Sequence, residues 1–127
     1  MIFVDTSVWI AADRNPIGSE AEALRSLLAA DSVEVALPVR LELLAGIPSQ
    51  RRQAFQRAFS ALPVAYPTDD TWMLIDEWVP KAADAGRRFT VSDLLIAALA
   101  HERGALVWSL DRDFGEMEKV GFVRLYG

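Results

Sequence analysis

Residues 1–10 read MIFVDTSVWI. Ile2, Phe3 and Val4 make an apolar run suited to a buried strand, and helical character begins at Thr6, so the handover falls on Asp5. Aspartate is a favoured N-cap at such a turn, because its carboxylate accepts hydrogen bonds from the first free amides of the helix. It is equally a residue for chemistry at the carboxyl end of a strand. The choice turns on whether other carboxylates arrive at the same place.

The same strand-to-helix alternation continues outward from this stretch. TSVWIAA (6–12) reads as a short helix and NPIG (15–18) as a turn. SEAEALRSLLAA (19–30) is an amphipathic helix that a Ser19/Glu22 capping box would open. SVEVAL (32–37) alternates as a second strand, and PVRLELLAG (38–46) is a helix with Pro38 at its first position and Gly46 as its stop. Helix resumes over 49–62, and PVAY (63–66) is a short third strand. Residues 68–86 form a long helix with a bend expected at Pro80, and TVSDLLIAALAHERG (90–104) forms the clearest helix, from Thr90 to Gly104. ALVWSL (105–110) reads as a buried strand, 111–121 as a turn and short helix, and FVRLY (122–126) as a last strand. Strands separated by helices imply βαβ units: an α/β fold with a parallel sheet and helices on both faces. Ligands of such folds sit beyond the carboxyl ends of the strands, where strand order reverses.

Composition narrows the chemistry. The 127 residues suit one domain, 1–127, with a real core supplied by a hydrophobic fraction of 52%. With no cysteine, disulfides, thiolate nucleophiles and cysteine-ligated zinc are excluded, and a cytoplasmic location is expected. The longest apolar run, LLIAALA (94–100), falls well short of a membrane span. A net charge of −5 argues against a simple nucleic-acid binder, unless the acids gather around a metal. Eleven of the 13 basic residues are arginine, clustered in RRQAFQR (51–57) and AGRR (85–88), where a solvated helix face is the plainer reading.

Four acids stand out. Asp5 follows the first strand and Asp111 the fourth, and for both a capping role stays open. Asp93 lies in the first turn of a helix whose next seven residues are all apolar, so little solvent is near, although a Thr90–Asp93 capping box would also explain it. Glu42 sits within VRLELLAG among Pro38, Val39, Ala45 and Gly46 at helical spacing, with no cation alongside; a solvent-facing side chain is the alternative. If the four converge, each pair ~4 Å apart repels by about 4 kcal/mol at an effective dielectric of 20. Such a cluster must take up protons or a cation. All-oxygen ligands select a hard ion, Mg²⁺ or Mn²⁺, which in turn implies a phosphate-containing substrate and metal-activated water.

VDTSVWI, RLELLAG, TVSDLLIAALA and SLDRDF, in this order and across the whole chain, resemble the PIN-domain nucleases, specifically the VapC-type toxins of toxin–antitoxin pairs. The resemblance implies a three-layer α/β/α sandwich with a central parallel sheet and a Mg²⁺- or Mn²⁺-dependent endoribonuclease. It also implies a homodimer held in check by a cognate VapB-type antitoxin. Carried over by motif, Asp5, Glu42, Asp93 and Asp111 would form the acidic metal-binding and catalytic quartet. Thr6 and Ser7 would steady it, Asp113 would be an accessory acid or a cap for the next helix, and Arg112 would meet RNA phosphate or pair with an acid. His101, near a helix C-terminus, is expected to be exposed; Trp9 and Trp108 are expected to pack, and for Trp72 and Trp78 core or groove stays open.

Other readings compete. A PIN-fold nuclease could process RNA outside any toxin–antitoxin pair. An aspartyl-phosphate phosphatase would want an acid at position 7, which is serine, and a phosphotransfer receiver would want an early acid pair that is absent. A non-catalytic RNA- or protein-binding module would use its acids only as caps.

Overall fold

The computed structural model describes all residues, 1–127. At its centre are four parallel strands, β1 (Ile2–Val4), β2 (Val33–Ala36), β3 (Val64–Ala65) and β4 (Leu106–Trp108), arranged in the order β3-β2-β1-β4. Ile2 lies opposite Val33 on one side and Leu106 on the other, so β1, like β2, is an interior strand, and it joins β4 to the rest of the sheet. The helices are α1 (Thr6–Arg14), α2 (Ser19–Ala29), α3 (Leu37–Gly46), α4 (Ser49–Ser60), α5 (Asp69–Asp84), α6 (Val91–Glu102) and α7 (Arg112–Lys119). They cover both faces of the sheet, giving the three-layer α/β/α sandwich.

The period-two geometry of β1 divides the core. Phe3 packs into the larger cluster with α3, α5 and α6, while Ile2 and Val4 join Val8 of α1 and Leu24 of α2 on the opposite face. Helix α6 is central because it is apolar almost all round: Leu94, Ile96, Ala97, Ala98, Leu99 and Ala100 are all buried. Its three alanines let the backbone come close to the sheet. The helix stops at Gly104, whose φ of +62° favours a residue without Cβ. There the amides of Gly104 and Ala105 return to the carbonyls of His101 and Ala100 at 3.2 and 2.9 Å.

Several local expectations are corrected. FVRLY is not a strand: it makes only a single parallel bridge, Val107 with Leu125. Phe122 and Val123 instead turn into the core, with Phe122 stacked on Trp78 at 4.3 Å, so burial takes the residues that a ladder would need. The Leu125 amide, facing away from β4, is satisfied by the Glu118 carboxylate at 2.9 Å. The Ser19/Glu22 capping box is also absent. Gly18 occupies the cap position because its turn presses against Asn15, where a Cβ would come within 2.6 Å of the amide nitrogen; Ser19 is already helical and bonds Glu20. Gly46 is the last residue of α3 rather than a left-handed stop, and the chain leaves through extended Ile47 and Pro48. Helix α5 runs on through Pro80 without a break.

Trp78 is buried and Trp72 exposed, whereas Trp9 and Trp108 are half-buried packing residues. His101 is exposed, with its ring edge-on to Trp78 and its Nδ1 at 3.2 Å from the Phe122 carbonyl. No helix is long and apolar enough to cross a membrane.

Because Phe3 is fully buried in an interior strand, Phe3→Ala is expected to lower unfolding free energy by about 3–5 kcal/mol. Ile17→Ala, at a position 92% exposed, is expected to change it by less than about 0.5 kcal/mol. Urea denaturation of both variants measures the contrast.

Candidate active site

Parallel topology brings distant residues to one end of the molecule. Helices α1 and α3 follow β1 and β2 directly, and α7 follows β4 after a short turn, so their N-termini lie at the carboxyl ends of the strands. Helix α6 leads into the start of β4, and an antiparallel return therefore puts its N-terminus at the same end. Asp5, Asp93 and Asp111 occupy or adjoin three of these helix starts, and Glu42 lies in the middle of the α3 sequence.

Asp5 is both cap and buried charge. It is only 6% exposed, and its Oδ2 accepts from the Ser7 amide at 3.4 Å, the Ser7 hydroxyl at 2.8 Å and the Ser109 hydroxyl at 2.8 Å. All three bonds fall on Oδ2, leaving Oδ1 without a protein donor. The two serines also tie the turns together: Ser7 Oγ accepts from the Leu110 amide and Ser109 Oγ from the Asp111 amide, each at 3.0 Å. The strand-end turns after β1 and β4 are thus one hydrogen-bonded unit. Ser109 did not stand out in the sequence; its only signal is its place between a strand and Asp111, mirroring Ser7 beside Asp5.

Asp111 caps α7, its Oδ1 accepting from the Asp113 amide at 2.9 Å. Asp113 is therefore not the cap. Its carboxylate joins those of Asp93 and Asp111 in a group in which one oxygen from each lies within 4.8 Å of the other two. Asp93 is half-buried behind these two, while Thr90 caps α6 through the Asp93 amide at 3.1 Å. Burial and then the negative charges of Asp5 and Asp111, with a lesser push from Asp113, raise its pKa from 3.8 to about 6.

Glu42 stands at the margin of this cluster. The Ser92 hydroxyl donates to its Oε1 at 2.6 Å and the Thr6 hydroxyl to its Oε2 at 3.3 Å, so it bridges the residues next to Asp93 and Asp5. It is exposed, and its oxygens are not within the 4.8 Å group. Ser92 is a second contributor that the sequence did not single out. Arg112 is exposed and pairs with no carboxylate. The donor set is all oxygen and anionic, with no cation inside it, which fits a hard divalent ion rather than zinc.

The model of the PIN domain family matches residues 2–120. The VapC ribonuclease Mb1587 of Mycobacterium bovis is 29% identical over 125 residues, covering 94% of this chain and 93% of the relative. Ribonuclease VapC11 of Mycobacterium tuberculosis matches with the same identity and coverage. Among solved structures, VapBC2 from Rickettsia felis, bound to a DNA fragment from its promoter, superposes with a TM-score of 0.81 at 19% identity, covering 99% of this chain and 98% of that one. VapC20 of Mycobacterium tuberculosis, a toxin that cleaves the sarcin–ricin loop, gives 0.67 at 22% identity, with 98% of each chain covered.

The raised pKa has a definite sign. Ionised Asp93 is disfavoured in the folded chain, so its share of stability is complete below the ordinary carboxylate pKa of ~4 and declines as pH rises through about 6. In chelator, Asp93→Asn is expected to match wild type near pH 4 and exceed it above pH 7 by about 1–2 kcal/mol, discounted for partial solvent exposure. Urea titrations of both proteins across that range test this.

Proposed function

The chain belongs to the PIN-domain family, and from that premise we propose that it is a metal-dependent endoribonuclease, the toxin of a toxin–antitoxin pair. One observation carries the reading: the carboxylates of Asp93, Asp111 and Asp113 approach within 4.8 Å beside buried Asp5, with no basic side chain to balance them. The residues proposed to hold Mg²⁺ or Mn²⁺ are Asp5, Asp93 and Asp111, with Glu42 completing the quartet and Asp113 assisting. A bound ion of this type supplies charge opposite the scissile phosphate and acidity for a bound water.

The chain's own groups do the remaining work. The hydroxyls of Ser7 and Ser109 hold one Asp5 oxygen in place, and those of Thr6 and Ser92 aim Glu42. Arg112, exposed beside Asp111 and free of any acid, is assigned to RNA phosphate. No protein nucleophile is needed on this reading, which fits the absence of cysteine and the packing of the single histidine against Trp78. Hydrolysis therefore falls to water.

The VapC names of the relatives and the VapBC complexes among similar structures support the biological class. On this reading the chain is one catalytic domain, works as a homodimer in the cytoplasm, and is inhibited by a VapB-type antitoxin.

Asp93→Asn is expected to reduce Mg²⁺-dependent cleavage of RNA at least about a hundredfold while the protein stays folded. Wild-type cleavage by that variant would refute the assignment. Excess Mn²⁺ is expected to raise the melting temperature of wild type but not of Asp93→Asn, as scanning fluorimetry would show.

A further inference from the structure

A cavity of about 310 Å³ opens between α1, α3 and α4, and Glu42 lines it. The same carboxylate is bonded to Ser92 and Thr6, so the cavity adjoins the acidic end of the sheet. Its floor is aromatic. Trp9 and Phe55 are half-buried there, and buried Phe59 meets both, at 4.7 Å from Trp9 in a tilted arrangement and 4.2 Å from Phe55 in a stacked one.

Its mouth is charged. Arg51 of α4 grips Asp13 of α1 through two bonds of 2.6 and 3.3 Å, whereas Arg14, also lining the cavity, has no acidic partner. With Asp13 taken by Arg51 and Glu42 by the two hydroxyls, unpaired Arg14 beside the aromatic rings is the lining group suited to an anion with a flat, apolar attachment. The volume lies at the lower end of small-ligand pockets, ~300–1,000 Å³. That is room for one planar ring system.

We propose that this cavity takes the unpaired base of a nucleotide near the scissile phosphate, stacked against Phe55 and Trp9, with Arg14 on the adjoining phosphate. The inference rests on the ribonuclease reading and adds a subsite to it. Stacking suits single-stranded RNA, because every base presents a π-face. It makes the aromatic row of α1 and α4, rather than the acids, the part of the chain that grips the substrate.

Gly46 provides a clean test. It lines the cavity, has no positive φ, and a Cβ there meets nothing within 4 Å, so the backbone accepts a side chain and Gly46→Leu is expected to narrow the cavity. Binding is measured with fluorescent single-stranded RNA of degenerate sequence, in Asp93→Asn to prevent cleavage, and cleavage is measured in the wild-type background. Gly46→Leu and Phe55→Ala are each expected to weaken binding about tenfold and slow cleavage of dilute RNA in parallel, whereas Phe55→Trp retains both. Equal binding and cleavage by all variants overturns the subsite while leaving the ribonuclease intact. So does a result in which only inhibition by an antitoxin peptide is lost, since the occupant is then protein. Wild type that neither binds nor cuts RNA overturns the ribonuclease reading and the subsite with it. Melting curves for each variant separate these outcomes from misfolding.

Discussion

Like charges held together are the constraint around which this structure is organised. At one end of the sheet the backbone brings several carboxylates into a small, partly dry space, and each is accommodated differently. Asp5, the most buried, is surrounded by hydroxyl and amide donors on one oxygen. Glu42 is held by two hydroxyls at the margin. For Asp93, burial and then the charges of Asp5 and Asp111 outweigh the opposing hydrogen bond of Thr90, and its pKa rises to about 6. Hydroxyls suit this task because they orient a carboxylate without cancelling its charge, as an arginine would.

That organisation depends on β1 and β4 being neighbours. They are separated by about a hundred residues, yet Val4 pairs with Trp108 and the Asp5 amide bonds the Trp108 carbonyl at 2.9 Å. The serine pair then locks the two following turns together. A buried apolar helix, α6, lies against the strands and delivers Asp93 to the same end. Packing and chemistry are thus coupled through one helix. Six buried apolar residues hold α6 in place, and its first turn carries the charge that the fold least easily accommodates.

Where local pattern and tertiary demand agreed, the chain's letters were a faithful guide. The apolar run before Asp5, the apolar stretch after Asp93 and the Gly104 stop all correspond to elements of the structure. Where they competed, tertiary packing won. FVRLY has strand composition, but Phe122 and Val123 find better burial against Trp78 and the core than in a ladder. Ser19 and Glu22 have capping-box spacing, but the close approach of Gly18 to Asn15 moves the cap one residue earlier. Asp113 could be a cap or an acid of the cluster by its letters alone; Asp111 takes the cap and leaves Asp113 beside Asp93.

The sequence by itself determined the alternation of strands and helices, the apolar character of α6, and which acids stand at strand ends and helix starts. These are local properties, read from period, composition and nearest neighbours. Only the tertiary structure decided that Ser109 and Ser92 serve the acids, that Glu42 sits at the rim, and that an aromatic cavity opens beside it. Those relations join residues far apart along the chain, and no local periodicity encodes a distance across the sheet.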